Sequence, residues 1–243
     1  MMFPNETSAP AFAEKLASDG FAIIPRLLDD AKINFLLAQL DQVCSAQGAK
    51  QRGNSYFGIR DLLNAVPAIR DLANSLEVRS VIEPLIGRQA VAVRGIFFDK
   101  TFEANWKVAW HQDLTIAVCR QEPTEGFTCW SVKAGITHVQ PPAWVLENIV
   151  TLRIHLDDTD EANGALKVIP GSHQLGRIAP EKLEAVRTAL APIVCSVNRG
   201  GALLMKPLLL HSSSPSLAPS HRRVIHLEFA SVELPGSLEW YGS

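Results

Sequence analysis

Residues 149–172 read Ile149-Val150-Thr151-Leu152-Arg153-Ile154-His155-Leu156-Asp157-Asp158-Thr159-Asp160-Glu161-Ala162-Asn163-Gly164-Ala165-Leu166-Lys167-Val168-Ile169-Pro170-Gly171-Ser172. Apolar and polar residues alternate from Ile149 to Leu156, the period of a strand with one buried face. A polar segment then closes on Asn163-Gly164, a turn signal. Residues 166–169 make a second short apolar run, and Pro170-Gly171-Ser172 turns again. The second half of the chain repeats this grammar. Residues 90–98, 192–197, 202–205 and 224–230 are short apolar runs, and Gly200-Gly201 separates two of them. Many short strands with such punctuation predict a sandwich or barrel, and a jelly roll is one solution.

Upstream the period changes. Residues 11–18 suit a short helix, and Gly20 precedes Phe21-Ala22-Ile23-Ile24-Pro25, a short strand. Asp29 or Asp30 can cap a helix reaching about Ala46, because Ile33, Leu36, Leu37 and Leu40 recur at helical spacing. Gly48 is its stop signal. Residues 55–58 read as a loop. Amphipathic helices are expected near residues 67–75 and 78–86, with Gly87 ending the second. Helices first and strands later make the chain α+β: a helical part over about 1–88 and a β core over about 89–234. Residues 120–148 show no clear period and hold Gly126, Gly135, Pro141 and Pro142. Long aperiodic stretches in compact domains are often functional, so this one is expected to be a lid loop over a substrate rather than a plain surface excursion, with His138 read as a surface histidine in preference to a substrate contact.

Composition narrows the function. The 243 residues are 47% hydrophobic and 20% charged, which suits one ordinary globular domain. A net charge of -2 offers no basic excess for nucleic acid. No apolar run reaches the roughly 20 residues that span a bilayer, and residues 1–10 lack a basic region followed by an apolar one. Cys44, Cys119, Cys129 and Cys195 form no CxxC pair and no zinc-like spacing. The expectation is a cytoplasmic protein with a small-molecule substrate and neither a nucleic-acid nor a membrane partner.

The chemistry centres on His111-Gln112-Asp113. On an extended backbone residues i and i+2 point the same way, so both side chains can reach one metal. With 7 histidines in the chain, roughly 0.3 His-x-Asp triplets arise by chance, and the motif needs context. A second triplet, His155-Leu156-Asp157, runs straight into the turn at 158–164, where Asp157 or Asp158 has backbone to bond. The first triplet is therefore preferred. His211 follows a turn and an apolar strand and is the best distal third ligand. Two neutral imidazoles and one carboxylate take one face of Fe(II) and leave the opposite positions open. 2-Oxoglutarate can chelate through two of these, and O2 can take the last. Its far carboxylate then needs a fixed cation, for which the planar fork of Arg222, eleven residues after His211, is suited. His221 adjoins Arg222, which leaves no room for the cosubstrate between them.

These segments together resemble the phytanoyl-CoA dioxygenase family. They are Trp110-His111-Gln112-Asp113, Leu156-Asp157-Asp158 with Asn163-Gly164, Val168-Ile169-Pro170-Gly171-Ser172-His173, His211 with Arg222, and the opening Asp19-Gly20-Phe21-Ala22-Ile23-Ile24-Pro25. The resemblance implies a double-stranded β-helix, a form of jelly roll, with helices packed outside. It assigns His111, Asp113 and His211 to iron and Arg222, rather than Arg223, to the C5 carboxylate of 2-oxoglutarate. It implies a dioxygenase using Fe(II), 2-oxoglutarate and O2, hydroxylating a small organic molecule with release of succinate and CO2. Asp113 favours hydroxylation, since halogenating relatives have a small residue there.

Thr151 and Arg153 share parity on one strand. Thr151 could meet the cosubstrate. Arg153 could meet a substrate acid, or could be an outward, solvated arginine. Gln112 points away from the metal on an ideal strand. Lys100, Trp106 and Trp110 read as packing or supporting residues, and His173 as structural. Two other classes remain open on the residues alone: a cupin-like metal-binding β-barrel without 2-oxoglutarate turnover, and a barrel that binds a small ligand without metal.

Overall fold

Helices α1 (Ser8–Asp19) and α2 (Asp30–Ala46) flank the short strand β1 (Phe21–Ile24). Asp29 caps α2 as expected: its Oδ1 accepts the Lys32 N–H at 2.9 Å. Strands β2 (Lys50–Arg52) and β3 (Ser55–Ile59) follow, then helices α3 (Leu62–Ala65), α4 (Pro67–Ala73) and α5 (Leu76–Ile86). The β-rich part comprises β4 (Val91–Lys100), β5 (Val108–His111), β6 (Ile116–Val118), β7 (Thr128–Lys133) and β8 (Ile136–Gln140), a short helix α6 (Ala143–Glu147), then β9 (Ile149–His155) and β10 (Leu166–Val168). After α7 (Leu183–Ala189) come β11 (Ile193–Cys195), β12 (Ala202–Met205), β13 (His211–Ser213) and β14 (Arg222–Ala230). The computed structural model describes residues 8–46, 50–52, 55–101, 104–217 and 221–242. The expected helix stop at Gly48 lies outside the described residues. None of the described helices is long and apolar enough to cross a membrane.

The described residues form three antiparallel sheets. The largest runs β1-β12-β9-β14-β4-β3-β2, the second β11-β10-β13-β5, and the smallest β6-β8-β7. The chain is thus α+β with its strands paired antiparallel, as its two periods imply. One face of the large sheet is covered by helices. Leu152, Ile154, Leu204, Ile225, Leu227 and Phe229 pack there against Ile33, Leu36 and Leu40 of α2, Ile69 and Leu72 of α4, and Val78 and Ile82 of α5. Cutting one such leucine to alanine costs about 2–5 kcal/mol. The other face looks toward the second sheet. At one end Phe21, Leu203 and Met205 meet Leu166, Val168 and Cys195 in an apolar seam. At the other end the interior is polar.

This two-sided burial corrects one expectation. Every residue of β9 is buried, not only its apolar half. Leu152 and Ile154 face the helices, while Thr151, Arg153 and His155 face the interior. The alternation is real, but its polar face is buried in the interior rather than in bulk water, and Arg153 on it reaches a cavity.

Two further expectations are corrected. Residues 55–58 are not a loop but belong to β3, which pairs with β4 through Gly58↔Phe98 and Ile59↔Phe97. Residues 120–148 are not a lid loop. They supply the hairpin β7–β8 and helix α6, and β8 pairs with β6. His138 lies in the middle strand of that sheet, is buried, and has its Nδ1 2.9 Å from the Ile136 carbonyl. The strand period was hidden by a register shift between Thr128 and Ser131, where Cys129 takes a φ of 53°.

Candidate metal centre

The site follows from register. His211 of β13 is the direct cross-strand partner of His111 of β5. Their rings lie with centroids 4.2 Å apart and tilted by 51°. Asp113 sits two residues beyond His111, where its backbone N–H donates to the Pro207 carbonyl at 2.9 Å. This closes the triad: His111 Nε2 is 3.6 Å from Asp113 Oδ1, and His211 Nε2 is 3.7 Å from Oδ2. One donor atom from each of the three residues lies within 4.8 Å of the other two.

The ring orientations are set by the backbone. His111 Nδ1 donates to the Ala109 carbonyl at 2.8 Å and His211 Nδ1 to the Leu209 carbonyl at 2.9 Å. A carbonyl only accepts, so each ring carries its proton on Nδ1 and turns the Nε2 lone pair toward Asp113. Burial pushes His211 down to about 4, so it stays neutral near pH 7, as a metal ligand must be. Burial alone would raise Asp113, but His211 and His111 outweigh it and hold the carboxyl below the usual range. Gln112 points away and ties three segments together. Its Nε2 donates to the carbonyls of Gly176 (2.8 Å) and Leu208 (2.7 Å), and its Oε1 accepts the Ile178 N–H at 2.8 Å.

The triad opens into a cavity of about 240 Å³ between the two larger sheets. Arg222 and Arg153 both line it and both are buried. Arg222 donates through Nη1 to the Gly164 carbonyl at 2.6 Å, and its Nε has no partner. Arg153 donates through Nη1 to His226 Nδ1 at 2.8 Å, and its Nε is also unpartnered. Of the two alternatives for Arg153, the solvated one is ruled out. Thr151 is buried with its Oγ1 unpartnered but is not part of the cavity lining. No residue of 120–148 lines the cavity either.

Sequence reading missed a second row of polar groups. Across the large sheet Arg94 pairs with Glu228 and Ile96 with His226. Arg94 donates to Glu228 Oε1 at 3.1 Å, and His226 Nε2 donates to the same oxygen at 3.1 Å. Charged residues inside the apolar runs 90–98 and 224–230 were the available signal: a charge in a central strand has to face something polar.

The rival residues are accounted for. His155 is buried with Nδ1 2.8 Å from Thr159 Oγ1. Asp157 holds Arg223, and His221 lies 2.8 Å from Asp99. His173 packs at its turn with Nε2 3.1 Å from the Ala17 carbonyl. Lys100, fully buried, donates to Ser213 Oγ and the Ser214 carbonyl, each at 2.7 Å. Trp106 lines the cavity, and Trp110 packs against Ile169, Ile178 and Leu210.

Two imidazole lone pairs and an ionised carboxylate on one side, with unsatisfied buried guanidinium groups nearby, suit Fe(II) and a dicarboxylate. Fold and site together define an enzyme of the Fe(II)/2-oxoglutarate-dependent oxygenase superfamily. Within it, the chain belongs to the phytanoyl-CoA dioxygenase family, whose model matches residues 16–224. That family uses Fe(II), 2-oxoglutarate and O2.

Solved structures agree on the fold. SnoN, a non-haem α-ketoglutarate-dependent epimerase from nogalamycin biosynthesis, is 15% identical with a TM-score of 0.71, covering 93% of this chain and 84% of its own. EctD from S. alaskensis, crystallised with 2-oxoglutarate and 5-hydroxyectoine, is 17% identical with a TM-score of 0.71, covering 96% and 79%. SnoK, a non-haem α-ketoglutarate-dependent carbocyclase from nogalamycin biosynthesis, is 16% identical with a TM-score of 0.68, covering 90% and 83%. A comparison with curated protein sequences finds no match.

Proposed function

We propose that this protein is a 2-oxoglutarate-dependent hydroxylase in which His111, Asp113 and His211 hold Fe(II). Arg222 receives the C5 carboxylate of 2-oxoglutarate. The two facing sheets form a double-stranded β-helix, and residues 1–243 make one domain with a helical part over about 1–88 and a core over about 89–234. The observation that carries this reading is the convergence of three metal donors within 4.8 Å in the cavity that also takes the unpartnered Nε of Arg222.

His111, Asp113 and His211 would hold Fe(II), which would supply O2 activation: 2-oxoglutarate and the substrate C–H would each give two electrons, with one oxygen atom going to succinate and the other to the substrate. The chain's residues do the positioning. Asp113 stays ionised and His211 stays neutral, and His111 would give up any second proton on ligating the metal, so the donor set would carry one negative charge. The Nδ1 bonds to Ala109 and Leu209 fix the rings before any ligand arrives. Arg222, held by the Gly164 carbonyl, presents a charged fork that stays protonated when buried.

The acid at 113 favours hydroxylation over halogenation, because it fills the position a halide would take; epimerisation and ring closure, named for SnoN and SnoK, are the outcomes the test separates from it. The free cysteines fit a reduced, cytoplasmic location. The test is a metabolite screen with Fe(II), 2-oxoglutarate and O2, read by mass spectrometry. The expected result is succinate formed in step with a product one oxygen atom heavier than its substrate. Succinate with a product of unchanged mass would replace hydroxylation by isomerisation.

A further inference from the structure

We infer that the substrate is a small organic carboxylate with an apolar body, and that Arg153 binds its carboxylate with help from Arg60. This rests on the oxygenase reading and concerns what that site accepts.

The argument is one of charge. Among the described residues four arginines line the cavity: Arg60, Arg94, Arg153 and Arg222. Against them stand two carboxylates, Asp113 and Glu228. Glu228 is committed to Arg94 and His226. Asp113 faces the metal position. An Fe(II) ion and a 2-oxoglutarate dianion cancel each other, so loading the site removes none of the excess. Two positive charges remain, on Arg153 and Arg60. Among the described residues Arg153 has no hydrogen-bonded anion of its own. Because His226 Nε2 donates to Glu228, its Nδ1 is a neutral acceptor for Arg153 Nη1. The Nε edge of that guanidinium is buried without a partner, and a guanidinium edge matches a planar carboxylate at two points. Arg60, half-buried, forms no hydrogen bond or ion pair with any described residue. The positive field shows on a neighbour: burial, then Arg222 and Arg153, hold the Lys100 ammonium down to about 7.

The other walls give the body. Ile96, Phe98, Trp106 and Val108 are apolar or aromatic and line the same cavity, and the Arg153 guanidinium lies 5.5 Å from the Phe98 ring centre. A cavity of about 240 Å³ that also takes 2-oxoglutarate leaves room for a compact molecule. A coenzyme A thioester is a poor fit, because its acyl carbonyl carries no charge for Arg153.

The test is isothermal titration of the anaerobic protein, with and without Fe(II) and 2-oxoglutarate. The probes are straight-chain carboxylates from butanoate to decanoate and 3-phenylpropanoate, each set against its amide, its coenzyme A thioester and the matching alkyl phosphate. We expect at least one carboxylate to bind at least tenfold more tightly than its three counterparts. Arg153→Met should weaken it by about tenfold or more, as loss of a buried charge partner does, and Arg153→Lys should restore part. Arg60→Ala, nearer the rim, should weaken it about threefold and serves if Arg153→Met fails to fold. The visible band of the Fe(II)–2-oxoglutarate complex should persist in both variants. No binding by any carboxylate, equal binding by the amide, tighter binding by the thioester or phosphate, or unchanged affinity in both variants would overturn the proposal. So would loss of the band in Arg153→Met, which would make Arg153 the cosubstrate's partner. Arg153-dependent carboxylate binding in a wild-type protein without the band would support the anion site and overturn the oxygenase reading instead.

Discussion

Asp157 and Arg223 form a two-point ion pair: Nε to Oδ2 at 2.9 Å and Nη2 to Oδ1 at 2.8 Å, with the Arg223 backbone N–H donating to Oδ2 at 2.8 Å. One contact removes two rivals from the site. The acid of the second His-x-Asp motif and the second of two adjacent arginines neutralise each other, which leaves Asp113 and Arg222 to face the cavity.

Asp157→Ala should therefore act on stability and not on the metal. The pair is about four-fifths buried, and losing three charge-assisted bonds should cost about 2 kcal/mol. Denaturant unfolding should show that loss while Fe(II) content stays at the wild-type level. A variant of normal stability that no longer holds iron would move the ligand to Asp157.

Gln112 should be a positioning residue for the metal strand. Gln112→Ala removes bonds to Gly176, Leu208 and Ile178 and loosens the segment between His111 and Asp113. Loss of such outer support typically weakens metal binding about 10–100-fold. Competition against a chelator should show it, with a smaller change in Gln112→Glu, which keeps the acceptor. Unchanged metal affinity in Gln112→Ala would confine the residue to packing.

Gly164 carries Arg222. It has a φ of +81°, and an added Cβ would lie 2.5 Å from the Ser214 carbonyl oxygen. Its own carbonyl accepts from Arg222 Nη1 and Ser213 Oγ. Gly164→Ala should displace that carbonyl and weaken 2-oxoglutarate binding about tenfold with metal affinity kept. Equal 2-oxoglutarate affinity, measured by titration, would show that Arg222 does not depend on this turn.

The metal-free protein should lose stability in acid through buried histidines. Burial holds His138 and His211 down to about 4 and His155 well below 6.5. A depressed pKa means that, as pH falls below 6.5, the unfolded chain takes up protons that the native state refuses. Stability then falls with pH by about 1.4 kcal/mol per unit for each such group, down to its folded pKa. His111 and Asp99, shifted upward, act the other way. His138 does not line the cavity, so His138→Gln isolates one share without touching the metal ligands. Between pH 7 and 5 its stability loss should be about 2 kcal/mol smaller than that of the wild type. An identical loss would mean that His138 is protonated in the native state.

Much of this was legible in the chain. Helix α2 follows Ile33, Leu36 and Leu40 at helical spacing, and β12 occupies the run Ala202–Met205 as read. His111, Asp113 and His211 could be chosen because extended backbone puts i and i+2 on one side. What stayed hidden depended on register. The sequence does not say that His226 lies opposite Arg153, or Glu228 opposite Arg94. Without those pairings the polar row of the cavity looks like scattered charge. The stretch 120–148 was opaque for a local reason: its strands are short and interrupted at Cys129.

The most direct measurement is anaerobic titration of Fe(II) and 2-oxoglutarate, followed by visible absorption, in the wild type, Asp113→Ala and Arg222→Ala. The account predicts a weak charge-transfer band in the wild type and its absence in Asp113→Ala. In Arg222→Ala the band should return only at 2-oxoglutarate concentrations at least about tenfold higher. A band of wild-type strength in Asp113→Ala, or unshifted 2-oxoglutarate dependence in Arg222→Ala, would contradict it.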